Sequence, residues 1–208
     1  MGGAFLLTGC FNIQKPEEKI YDLLESVATT EKSFEEQQDP LVQLEKEEKT
    51  LYDEIISLGK KEQDKINQLS DSALENIDKR KKHMEMEQES LQASKKEFIE
   101  LESLIEKLKD EKERDLAVLL NQTMMDRYRA HDELFSNYNL GLDHDKQLYE
   151  LLKDKKTTIN QLEKQIVEIN DTYKKVIESN KEFNDLTKKY NETKLAFYKS
   201  AEIKIKTK

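Results

Sequence analysis

From Ile159 to Ala201 the chain repeats a single spacing. Ile159, Leu162, Ile166, Ile169, Tyr173, Val176, Asn180, Phe183, Thr187, Tyr190, Lys194, Phe197 and Ala201 stand alternately three and four residues apart. Six heptads of that spacing define one helix with a narrow apolar seam. Such a helix is not a stable unit in water by itself, so its seam must face others. The first third repeats the pattern through Ile20, Leu23, Val27, Thr30, Phe34, Gln37, Leu41, Leu44, Glu48, Leu51, Ile55 and Leu58. Pro16, Glu17 and Glu18 open it as a helix first turn, where proline's missing N–H costs nothing and acidic side chains face the positive dipole end. Pro40 falls inside this run without shifting its register, which predicts a kink near Asp39–Pro40.

Two further helical stretches lie between. Ile77, Met84, Leu91, Phe98 and Ile105 are seven residues apart, and the second reads Met124, Tyr128, His131, Phe135, Tyr138, Leu142, Asp145, Tyr149 and Leu152. Turns are expected near Leu69–Ser72, Asp110–Arg114 and Asp154–Thr157, with Asn137–Asp143 (NYNLGLD) as a competing break because Asn and Gly weaken a helix interior. The expected fold is all-α: an elongated antiparallel up-and-down bundle of four long helices. A three-helix, spectrin-like bundle is the alternative if one turn is continuous helix. A parallel homodimeric coiled coil fits the irregular seams less well.

Composition agrees. Charged residues make up 38% of the chain, with 5 glycines, 2 prolines and no tryptophan. Polarity of that degree also marks disordered chains, and the sustained seams decide between the two. Charge is unevenly placed: residues 16–58 hold 13 Asp or Glu against 4 Lys, whereas KLAFYKSAEIKIKTK at the end holds five lysines and one glutamate. An acidic front with a basic tail argues against nucleic-acid binding, which needs a basic face.

Little in the chain carries catalytic chemistry. One cysteine allows neither an internal disulfide nor a thiolate cluster. Arg80, Tyr128 and Gly141, rather than Glu, precede His83, His131 and His144 by three residues, so the paired Glu-x-x-His motif of di-metal bundles is missing. His131, lying on its seam, is expected as a packed core residue, and so are Tyr128, Tyr138 and Tyr149. The cluster Lys79-Arg80-Lys81-Lys82 is expected to be solvated surface. No phosphate loop, G-x-S-x-G or H-E-x-x-H occurs. No enzyme activity, cofactor or metal is therefore expected.

The only cysteine closes a short apolar stretch, and Leu7-Thr8-Gly9-Cys10 resembles the lipobox of bacterial lipoproteins. The resemblance implies signal-peptidase recognition of Leu7, Thr8 and Gly9, cleavage before Cys10, and a diacylglyceryl lipid on the Cys10 sulfur. The stretch before Cys10 has no Lys or Arg and is shorter than a signal-peptide apolar region, so a longer upstream segment is expected. With this lipobox, the acidic first helix carrying Asp39-Pro40, the central DKRKKHMEMEQESLQASKKEF and the later RYRAHDELFSNY together resemble the cell-wall-binding lipoproteins of Gram-positive bacteria, the YkyA-type family.

The resemblance implies residues 1–9 as a signal-peptide remnant, 10–15 as an anchor linker and 16–208 as one helical-bundle domain. It also implies a non-catalytic lipoprotein at the outer face of the cytoplasmic membrane, partnered by that membrane and by wall polymers or another envelope protein. In a four-helix bundle the lysines of the tail, Lys194, Lys199, Lys204, Lys206 and Lys208, would lie beside the anchor and touch an anionic surface. The rival reading is a cytoplasmic coiled-coil adaptor with an accidental LTGC.

Overall fold

The computed structural model describes residues 14–58 and 62–203. They form α1 (Pro16–Thr30), α2 (Lys32–Ser57), α3 (Gln63–Phe98), the short α4 (Leu101–Ile105), α5 (Glu111–Lys153) and α6 (Ile159–Ser200). α1 and α2 make one arm interrupted at Glu31, and α3 with α4 makes the second, so four long arms run up and down. At one end Gln63 donates to the Leu152 carbonyl at 3.1 Å, tying the start of α3 to the end of α5. At the other, the rings of Tyr21 and Tyr198 stand 5.1 Å apart, so the outer ends of the first and last arms lie together. The 43 residues of α5 extend about 65 Å at 1.5 Å per residue.

Local chemistry sets the helix ends. Pro16 takes the first helical position, and Glu18 accepts from the Lys15 N–H at 3.2 Å. Asp110 caps α5 by accepting from the Glu113 N–H at 3.0 Å, and Thr158 and Gln161 form a reciprocal capping box on α6. α6 ends where Glu202 adopts φ 53° and the Ile203 N–H reaches the Tyr198 carbonyl at 3.0 Å. This six-to-one bond is a Schellman closure, and Ile203 packs back on the core.

Two expectations change, and one break is new. The first turn comes earlier than Leu69–Ser72: α2 stops at Ser57, Leu58 is extended, and Ser70 is fully buried inside α3. Asn137–Asp143 is uninterrupted helix. Gly141 is there for space, since a Cβ on it would sit 3.1 Å from the Tyr173 ring. α2 runs on through Pro40, and the first arm is interrupted at Glu31, a break that the sequence did not mark. There the Ser90 hydroxyl accepts from the Phe34 N–H at 3.2 Å and donates to the Thr30 carbonyl at 2.9 Å. In a continuous helix those two groups would bond each other; a hydroxyl from α3 has entered the ladder.

The arms are not equally close. Backbones pack tightly along α5 and α6, α2 and α3, and α3 and α5. α6 turns a row of small residues toward α5, with Thr172, Ser179 and Thr193 buried and each donating to its own helix carbonyl four residues back. Their hydroxyls therefore need no outside partner, and the helices can approach. The same rotation takes the expected seam off the core at its start: Ile159 is 63% exposed, and Ile166 and Ile169 are only half-buried. The first arm and α6 have no comparable backbone approach. They meet through long side chains, Phe34 on Phe183 at 5.5 Å between centroids and the Tyr198 hydroxyl donating to Glu25 at 2.9 Å. A groove is left along that side.

Candidate functional site

The groove floor comes from α3 and α5, and its chemistry comes from polar residues at seam positions. Nearest the outer ends, Arg127 is 3% exposed. Its Nε donates to Thr187 at 2.8 Å, its Nη1 donates to Glu31 at 2.9 Å, and the guanidinium lies 4.7 Å over the Phe183 ring. Glu31 also accepts from Ser94 at 2.7 Å, so the residue at the break in the first arm is held by two other arms. The chamber above Arg127 has a volume of about 350 Å³.

One layer further on, His131 and Glu87 are both buried with Nε2 and Oε2 3.6 Å apart. Gln88 donates from its own Nε2 to Asp132 at 2.7 Å, which leaves its Oε1 to accept from His131 Nδ1 at 2.9 Å. Burial raises the Glu87 carboxyl against the opposing pull of His131. His131 is thus a packed core histidine, as expected, with Phe34 and Phe183 set edge-on against its ring.

The third layer is centred on Arg80. Lys79, Lys81 and Lys82 are exposed, but Arg80 is 2% exposed and belongs to the interior. This corrects the solvated-surface expectation. The signal was present in the spacing: Ile77, Arg80, Met84, Glu87, Leu91, Ser94 and Phe98 are one alternating three-four run, so Arg80 occupies a seam position. Arg80 Nε donates to the Tyr138 hydroxyl and Nη2 to the Tyr173 hydroxyl, both at 2.9 Å, and Nη1 pairs with Glu48 and lies 3.5 Å from Asp145. The tyrosine hydroxyls pass their own protons to carboxylates: Tyr138 to Glu45 at 2.8 Å, Tyr149 to Glu48 at 3.1 Å and Tyr173 to Asp145 at 2.5 Å. One guanidinium thus serves a buried carboxylate, Asp145, and a half-buried one, Glu48. Burial, then repulsion from Glu48, pushes Asp145 up to about 7, and burial also raises Glu48. A second cleft of about 650 Å³ opens beside this cluster, walled by Tyr52, Ile166, Ile169 and Ile177. Asn180 borders both chambers and joins them into one groove.

Cys10, the preceding Leu7, Thr8 and Gly9, and the tail lysines Lys204, Lys206 and Lys208 lie outside the described residues. Lys199 is exposed. Lys194 sits at the mouth of the groove, its side chain 18% exposed, 3.9 Å from Glu25 and 5.9 Å over the Tyr190 ring. Among the described residues no group of three or more His, Cys, Asp or Glu side chains is placed to hold a metal ion, and no helix is long and apolar enough to cross a membrane.

A family model described as "Putative cell-wall binding lipoprotein", YkyA, matches residues 15–200. The chain belongs to the YkyA family. It is 36% identical over 203 residues to the uncharacterized lipoprotein YkyA of Bacillus subtilis strain 168, covering 98% of this chain and 91% of that protein. Its fold is that of a conserved protein of unknown function from Staphylococcus aureus, known from a crystal structure. That chain matches with a TM-score of 0.76 at 17% identity, over 87% of this chain and 91% of the other. The YkyA fold is thus an all-α bundle, and in this member its open side is the groove.

Proposed function

We propose that this YkyA-family protein is a non-catalytic lipoprotein, anchored through Cys10 on the outer face of the cytoplasmic membrane, that holds cell-wall material along its groove. The observation that carries the reading is membership of a lipoprotein family over nearly the whole chain, in a bundle whose first and last arms end together. An anchor at Cys10 would be joined to Pro16 by a linker of at most about 20 Å, so the bundle would stand on the membrane by that end. The Arg127 chamber then opens about 20 Å along the bundle, with the second cleft farther out. The groove supports binding rather than turnover, because its buried carboxylates and guanidinium groups are bonded chiefly to one another.

Mass spectrometry of the native, membrane-extracted protein tests the anchor, with Cys10→Ser as the control. A diacylglyceryl group on an N-terminal Cys10, and release of the serine variant into the medium, are expected. An unmodified Cys10 still preceded by Met1–Gly9 would overturn the anchored reading in favour of the cytoplasmic adaptor. Retention of the soluble domain by purified wall sacculi tests the binding half separately.

A further inference from the structure

The two buried arginines of the groove differ in a way that decides what it can hold. All three guanidinium nitrogens of Arg80 are spent on protein partners. Arg127 is as deeply buried and lines the inner chamber, yet its Nη2 makes no hydrogen bond among the described residues. That nitrogen carries two N–H donors, and it is not among the side-chain atoms shut off from solvent, so its donors open onto the chamber. A ligand acceptor in the chamber would take the place of water on them.

The surroundings select the acceptor. Glu31, Glu35 and Glu87 border the same chamber and outnumber its cations, Arg127 and Lys194, each of which already faces a glutamate, so an incoming anion meets net negative charge. A neutral carbonyl does not. Along α6, Asn180, Asn184, Thr187 and Asn191 fall on one face at helical spacing and edge the chamber. Asn184 uses only its Nδ2, on Asn180 at 3.2 Å, and the Asn191 amide makes no hydrogen bond among the described residues. Each therefore offers free amide atoms to a ligand. Phe34 and Tyr190 supply apolar wall.

An acetamido group meets all three demands, with a carbonyl acceptor, an N–H donor and a methyl group, and carries no charge. A volume of about 350 Å³ lies at the lower end for small-ligand sites, roughly 300–1,000 Å³. The continuation past Asn180 lets a longer chain follow the groove.

We propose that the inner chamber binds the acetamido group of a neutral amino-sugar unit in a glycan chain, its carbonyl accepting from Arg127 Nη2 and its polar groups meeting Asn184 and Asn191. This deepens the wall-binding reading and rests on it, by naming the part of the wall that the groove recognises.

Calorimetric titration of the full chain with the β-1,4-linked tetramer of N-acetylglucosamine, with cellotetraose, and with a sugar-free wall stem peptide tests it. The acetamido tetramer is expected to bind, and the glucose tetramer, which lacks only that group, is not. Asn184→Ala and Asn191→Ala are each expected to weaken binding about fivefold, the worth of one ligand hydrogen bond, at an unchanged unfolding midpoint. These exposed-edge variants keep the test meaningful if Arg127→Lys fails to fold. Equal binding of both tetramers, binding of the peptide instead, or full affinity in both asparagine variants would overturn the assignment. If sacculi retain the protein but the tetramer does not bind, the acetamido site falls and wall binding stands. If neither is bound, both fall.

Discussion

Asp145 shows how one side chain can set the pH response of a bundle. Its folded-state value near 7 lies above the ordinary carboxylate range, so between about pH 4 and 7 the folded protein holds a proton that the unfolded chain has released. Stability therefore falls as pH rises through that window, and the loss is complete above it. Glu48 and Glu87, both raised by burial, act in the same direction. Asp145→Asn removes the titration while keeping an acceptor for the Tyr173 hydroxyl. Thermal melts across pH 4–8 are expected to show a shallower decline for the variant than for the parent, and parallel curves would reject this account. The residue was legible as a seam member, but its partner was not. Arg80 sat inside a run of basic residues that reads as surface, and only the three-four spacing from Ile77 marked it as interior.

At the scale of the element, the four arms and most of their ends could be read from residue types. Proline at the start of α1, Asp110 before α5, and Thr158 with Gln161 before α6 each act through the few atoms beside them. The break at Glu31 could not be read, because its cause is the hydroxyl of Ser90 on another arm. Ser90→Ala should leave the Phe34 N–H and Thr30 carbonyl without that bridge and cost about 1–2 kcal/mol. Urea unfolding measures the loss. Hydrogen exchange at the Phe34 amide should accelerate with it, whereas unchanged exchange there would mean that the hydroxyl is incidental. Likewise Gly141 reads as a helix breaker until Tyr173 of the neighbouring arm is placed against it.

For the molecule as a whole, an even number of arms brings both ends of the bundle together. That places the departure point of the lysine tail at the end where the proposed anchor would sit. Lys194 is engaged with Glu25 and Tyr190, which leaves the lysines beyond Ile203, with Lys199, to meet a surface. Each lysine near an anionic membrane is worth about 1 kcal/mol. Removing residues 204–208 should therefore weaken binding to anionic vesicles on the order of a hundredfold at low salt, and leave binding to neutral vesicles unchanged. Equal vesicle sedimentation of intact and shortened protein would count against a second membrane contact.

What the sequence by itself determined is local and periodic: an all-α chain, long arms with one apolar seam each, caps drawn from neighbouring residues, and a lone cysteine in a lipobox-like stretch. Periodicity reports which face of a helix is buried, but not which other helix covers it. The tertiary structure alone decided that α6 turns small hydroxyl residues toward α5, that the first arm and α6 stay apart, and that Arg80 and Arg127 gather carboxylates from other arms. Those outcomes depend on how closely two backbones can approach and on which buried charge finds a partner. Both are properties of pairs of helices distant in sequence, and no single seam contains them.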